Sequence, residues 1–175
     1  MLPTIPLILT LSLGGALQAP SPSSPPTILV TVSNPTTKPY TLLTWSSPLD
    51  SLAFALGLFP LTLSSTGKTI PLNIIQVKRV APPSLDSYIT LDPGQSIQKT
   101  ATLREPTVDL QSLAGQKVRV RWDVGRGIRI PVWEGRKEEL AAEGRIASEE
   151  SWWEGDGEWV VDDGGEGVEV EIAGH

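Results

Sequence analysis

The side chains that carry out nucleophilic and metal chemistry are nearly missing from this sequence. It has no Cys, and its one His is His175, the last of 175 residues. A zinc-peptidase helix of the HExxH type needs two His one helical turn apart with a Glu as base, and a Ser–His–acid relay needs a positioned imidazole. His175 supplies neither. No GxSxG elbow and no Walker loop is present, and Gly125-x-Gly127 lacks the third glycine of a dinucleotide loop and falls between two strand patterns. Glycoside hydrolysis asks only for two held carboxylates. The acids able to pair lie on a Gly-rich stretch near the C-terminus that holds geometry poorly. No catalytic residue, metal ligand or cofactor site is assigned, and the expectation is a protein that is not an enzyme.

Binding is the chemistry left. Lys117, Arg119 and Arg121 stand at alternate positions, with Arg126 and Arg129 across a turn. Such a strip suits an acidic glycan, a lipid headgroup or the chain's own acidic tail, although a solvated sheet face is the plainer reading. Trp152, Trp153 and Trp159 lie in an acidic stretch. If exposed, they suit a sugar ring or a protein; the plainer alternative is that they pack this stretch onto the rest of the domain. These six residues (Lys117, Arg119, Arg121, Trp152, Trp153, Trp159) form the candidate binding surface. Trp45 and Trp122 lie in strand patterns and read as core. Asp162-Asp163-Gly164-Gly165-Glu166 resembles a calcium loop but lacks its alternating ligands, so it reads as a solvated turn.

The elements that position these residues are mostly strands. The segment 27–33 is β-branched, 40–45 places Thr41, Leu43 and Trp45 on one face, and 58–64 carries Pro60, which delays its start or puts it at an edge. A strand is expected over 69–78 around Ile74, Ile75 and Val77, then over 87–91 and 96–103, joined by the turn Asp92-Pro93-Gly94-Gln95. The segment 116–124 alternates Val118, Val120, Trp122 and Val124 against Lys117, Arg119, Arg121 and Asp123. After Gly125-Arg126-Gly127, 128–133 is a strand. The stretch 134–144 is the one plausible helix and, with few apolar residues, should lie on the surface. The segment 145–167 is acidic and Gly-rich and is expected to be largely mobile. A last strand, 168–172, turns Val168, Val170 and Ile172 inward. Many short strands, no βαβ alternation and 16 Gly with 16 Pro predict an all-β, immunoglobulin-like, antiparallel two-sheet β-sandwich with one short surface helix.

Residues 27–173 are read as one domain, with 134–167 a helix plus acidic insertion before the last strand. Ahead of it, 20–26 belongs to a Pro/Ser linker and 1–19 reads as a secretory signal, with an apolar run over 5–13 and cleavage after Ala16. That run is too short to span a bilayer, so no stable membrane span is expected. Secretion follows, with a cytoplasmic sandwich as the alternative if the leader does not function. Charge is divided: residues 1–133 carry 11 Lys/Arg and 6 Asp/Glu, whereas 134–175 carry 3 and 14. The net −6 and the placement of the cations on turns and one strand face argue against nucleic-acid binding.

Certain motifs carry a resemblance: Asn34-Pro35, Leu42-Leu43-x-Trp45-x-x-Pro48-Leu49-Asp50, the Gly67 turn, Val77-Lys78-Arg79, Asp86-x-x-Ile89-x-Leu91-x-Pro93-Gly94 and the closing 168–172. Together, over about 27–133 plus the last strand, they resemble the non-catalytic N-terminal β-sandwich region of fungal deuterolysin-type and peptidyl-Lys metalloendopeptidases. The resemblance implies a pro-domain-like, stand-alone sandwich without the peptidase domain. It implies a separate secreted metallopeptidase or other protein as partner, bound through edge-strand pairing and the basic strip. A module for cell-wall glycan or a host protein is the rival reading.

Overall fold

Alternation of apolar and polar side chains builds the first framework. In the computed structural model, which describes residues 1–14, 24–122, 128–150, 152–161 and 166–174, β1 (Ile8–Leu13) pairs antiparallel with β2 (Thr27–Ser33). β2 also pairs antiparallel with β7 (Ser96–Thr102). Ile28, Val30 and Val32, the period-two set of β2, are fully buried. A second sheet runs in the order β10 (Gly157–Val160), β9 (Arg129–Glu134), β3 (Tyr40–Leu43), β6 (Tyr88–Leu91). A third runs β11 (Val168–Glu171), β8 (Lys117–Val120), β4 (Leu61–Leu63), β5 (Thr69–Ile70). All of these pairings are antiparallel, as expected, with the strands divided among three hydrogen-bonded sheets.

The main core joins all three sheets, with Phe54, Phe59 and Trp122 stacked at 5.1 and 5.5 Å between successive ring centroids. β4 begins just after Pro60, which lacks the N–H a ladder would need. β11 lies on β8 with Val170 opposite Val118, and Val170 and Ile172 are buried as the alternation predicted.

A second, smaller core seats the short helix, which lies on the surface as expected. β3 is buried on both faces, because Leu43 turns away from the main core toward Tyr88, Trp133, Leu140 and Ile146. Helix α1 (Lys137–Ala142) supplies Leu140, which is 1% exposed. One apolar residue is enough to fasten a helix of this length when it falls into a ring of aromatics.

The length of one strand is corrected. The strand over 69–78 stops at Ile70; Pro71 follows, and the next residues make isolated bonds, Asn73 N–H to Thr107 O and Ile75 N–H to Ala55 O, instead of a ladder. Among the described residues of 145–167, Ile146 is buried and β10 forms a strand against β9. Trp45 lies just past the end of β3 and is half-buried, whereas Trp122 is core. The Gly125–Gly127 reversal and most of the Asp162–Glu166 turn lie outside the described residues.

Tyr88 offers a test of the second core. Burial pushes its phenol above the ordinary tyrosine range, opposed by the Ala147 N–H donated to its oxygen. A raised folded value means that this contribution to stability is complete below the unfolded tyrosine value, about 10, and is lost as pH rises through the folded one. Urea midpoints measured across the alkaline range should therefore fall, and Tyr88→Phe should remove that part of the slope.

Candidate functional site

The resemblance motifs meet in space, two by two. Asp50 lies in the loop after β3, its side chain 2% exposed. Its Oδ2 accepts from Ser46 N–H at 2.7 Å and its Oδ1 from Leu52 N–H at 3.0 Å, so the carboxylate ties the loop to itself. Arg79 then reaches across and donates from Nη2 to Oδ2 at 2.6 Å. A buried carboxylate needs such a partner, and a guanidinium suits it because its planar fork is weakly hydrated. Likewise Asn34, 1% exposed, gathers the turn at 92–95: its Nδ2 donates to the carbonyls of Lys38, Leu91 and Asp92. Gly94, at φ +72°, is the corner that this turn requires.

From Arg79 an aromatic stack leads to the surface. Its guanidinium carbon stands 5.2 Å from the Trp45 ring centroid. Trp45 meets Trp152 edge-on at 6.0 Å, and Trp152 meets Trp153 edge-on at 5.5 Å. Trp153 is 52% exposed. The same stretch of chain, 74–80, exposes Ile74, Ile75, Val77 and Val80, the last at 84%. Large apolar side chains left in water in one run, next to an anchored aromatic stack, are the mark of a contact surface. Beside it runs a groove of about 420 Å³ between the 48–55 turns, β7 and the loop, with Phe54, Ile75, Asp50, Lys99 and Arg104 among its walls. Lys99 is fixed there by donating from Nζ to Leu49 O at 2.7 Å.

The candidate residues from sequence are thus divided. Trp152 and Trp153 lie together in the stack. Trp159 does not join them: it is 1% exposed on β10, and its Nε1 donates to Leu7 O at 3.0 Å. Lys117 and Arg119 are exposed on β8, as the alternation implied, and Arg121 just beyond it is half-buried. The first two face Glu169 on the neighbouring β11, at 3.4 and 3.9 Å. The hydroxyl of Ser64, then Lys117 and Arg119, hold the Glu169 carboxyl below its ordinary range. Arg129 pairs with Glu158 of β10 at 2.7 Å, and Arg126 lies outside the described residues. The basic front and acidic tail of the chain therefore meet, strand against strand. The pairs are exposed, so each contributes little and salt weakens it. Sequence reading placed Ile74, Ile75 and Val77 in a strand and Arg79 in a motif, and missed that 74–80 is an exposed loop tied to Asp50 through Arg79.

A second concavity, lined by Trp133, Arg145, Ser148, Glu149, Glu150, Glu154 and Asp156, is acidic. Arg145 bonds Asp156 and Glu143 there, and these bonds raise its pKa, the one to Asp156 most. Among the described residues no group of three or more His, Cys, Asp or Glu is placed to hold a metal ion. No helix among them is long and apolar enough to cross a membrane.

Comparison with known proteins places this geometry in context. A family model described as an immunoglobulin-like domain matches residues 16–160. An uncharacterized secreted protein of Arthroderma benhamiae is 33% identical over 119 residues. That match covers 67% of this chain and 58% of the relative, so the chain spans less than two thirds of the relative's length.

Proposed function

We propose, starting from a chain that belongs to the immunoglobulin-like domain family, that it works as a secreted, non-enzymatic module that binds another protein. Support for secretion comes from the apolar run before Ala16 and from the secreted fungal relative. The partner we infer is a separate metallopeptidase, bound as a pro-domain binds its catalytic domain. The observation that carries the binding reading is the exposed apolar run at 74–80 held beside the Arg79-anchored tryptophans. The resemblance of the sequence motifs to those of metallopeptidase pro-segments supports this choice of partner. The lone His at the chain end and the absence of Cys support a role without catalysis.

Co-elution with, and inhibition of, a deuterolysin-type peptidase from the same organism tests the partner. Binding at micromolar concentration is expected, with Val80→Asp weakening it about tenfold or more while leaving the thermal midpoint nearly unchanged, because that side chain is 84% exposed. No binding at that concentration overturns the peptidase reading.

The exposure of Trp153 favours one other ligand class, a cell-wall glycan stacked on the indole. In that case tryptophan emission shifts on adding the glycan, and Trp153→Ala abolishes the shift. Unaltered glycan binding in Trp153→Ala rules this surface out.

A further inference from the structure

Residues 3–13, which the sequence presents as the apolar part of a leader, occupy a strand position inside the fold. Ile5, Leu7 and Leu9 are 8%, 7% and 4% exposed, while Pro6, Ile8 and Thr10 between them face solvent. On one flank, β1 follows β2 over six residue pairs, from Ile8 opposite Ser33 to Leu13 opposite Ile28. N-terminal to β1 the chain bonds to β10: Ile5 N–H donates to Glu158 O at 2.8 Å, Glu158 N–H donates to Pro3 O at 2.9 Å, and Trp159 Nε1 donates to Leu7 O. The floor of the position is cut to fit. A Cβ added at Gly157 would lie 2.7 Å from Ile5 Cδ1 and 2.8 Å from Pro3 O. The family match begins at residue 16, so it includes β2 and β10 but not the segment that bonds to them in turn.

We propose that export turns this position into an acceptor slot for an extended peptide of another protein. Hydrolysis of the Ala16–Leu17 peptide bond, with water added across it, releases residues 1–16 and takes β1 away. The released strand leaves one edge of β2 unpaired, the β10 carbonyl and N–H of Glu158 without their partners, and the Trp159 N–H without its acceptor. An unpaired edge beside an apolar floor is a template for strand addition. The occupant is a single extended strand with apolar side chains at alternate positions, in the register now held by Ile5, Leu7 and Leu9. A second copy docking its own β2 edge is disfavoured, because it would pair along β2 only, whereas one extended strand running on from β2 to β10 also meets Glu158 and Trp159. This inference rests on the position of β1 and not on the 74–80 surface, so either can fail without the other.

The full chain secreted from a fungal host is the material for the test. Its intact mass should place the N-terminus at Leu17. A synthetic peptide of residues 3–13 with a Lys tail for solubility should then raise its thermal midpoint by about 5 °C or more at about a hundredfold excess over Kd. It should also slow amide exchange across 28–33, and a peptide carrying Leu7→Asp and Leu9→Asp should do neither. If the secreted chain is unfolded alone and folds on adding the peptide, the slot is equally supported. A secreted protein that keeps residues 1–14, or one that gains neither stability nor protection from the peptide, overturns the proposal.

Discussion

Replacing Asn34 by Asp should destabilise the protein more than replacing it by Ala, although Asp is the closer match in shape. The Asn34 Nδ2 donates to three carbonyls, those of Lys38, Leu91 and Asp92, at 2.8, 2.9 and 3.3 Å. Its Oδ1 accepts from the N–H and the hydroxyl of Thr36 at 3.0 and 2.7 Å. Asn34→Ala removes all of these bonds; the Asp92 carbonyl keeps the Gln95 N–H and the Lys38 carbonyl keeps the Thr36 hydroxyl, while the buried Leu91 carbonyl and the Thr36 N–H lose the Asn34 side chain, at about 1–3 kcal/mol for each one that stays unpaired. A loss of about 3 kcal/mol is expected. Asn34→Asp does worse, because it sets a carboxylate oxygen against three carbonyl oxygens in a buried place, and about 4 kcal/mol or more is expected. The same repulsion raises the pKa of the introduced acid in the folded state. Its deficit should therefore shrink as pH falls, since the protonated acid can donate again. Urea melts at two pH values measure this, with an unchanged m-value showing that the unfolded state is not involved.

The strands that the sequence made legible are those whose pattern and partner agree. The run 27–33 is β-branched, and it is β2, paired on two sides. The run 168–172 alternates, and it is β11, with its Val residues in the core and Glu169 facing the cations of β8. Where pattern and partner disagree, composition misleads. The apolar side chains at 74–77 look like a strand, but a ladder needs a neighbour, and the chain finds only isolated carbonyls there. The stretch around Trp159 looks mobile because it is acidic and Gly-rich. It becomes β10 because β9 has a free edge and because a glycine at 157 lets the N-terminal segment pass over it. An indole gives no sign in sequence of whether it will be wet or dry, so Trp153 and Trp159 could not be told apart.

The candidate site was half visible for a related reason. The motifs at 48–50 and 77–79 stand out as strings, yet what matters is that they close on one another, with Asp50 and Arg79 separated by 29 positions in the chain. A short string records which residues are present; a salt bridge between loops depends on where the strands between them lead. The N-terminal segment shows the converse. The apolar run there reads in sequence as a leader and its period of two as a strand, and in the structure residues 8–13 are a strand.

Substituting Arg79 tests whether that closure supports the contact surface. Arg79→Met keeps most of the side-chain volume and removes the charge. The Asp50 carboxylate is left with the Ser46 and Leu52 N–H groups and no cation. Leaving one member of a buried pair alone costs about 3–5 kcal/mol when the pair is fully closed off. The Arg79 side chain is 23% exposed, so water can enter in its place and a value near the lower end, about 3 kcal/mol, is expected. Asp50→Asn alone should also destabilise, since one amide oxygen cannot serve two N–H donors as two carboxylate oxygens do. The double variant should be less destabilised than the sum of the singles, with a coupling of about 1–3 kcal/mol. A second readout separates positioning from stability. Without the guanidinium over its face, Trp45 loses one of its two ring contacts and the stack through Trp152 to Trp153 loses its inner anchor. Tryptophan emission should move to the red at temperatures where the far-ultraviolet circular dichroism is unchanged. Partner binding should fall under the same conditions, because the 74–80 run is then held by Asn73 and Ile75 alone. If binding persists in Arg79→Met while the fold is intact, the anchored stack is a structural brace and the recognition lies in the apolar side chains themselves.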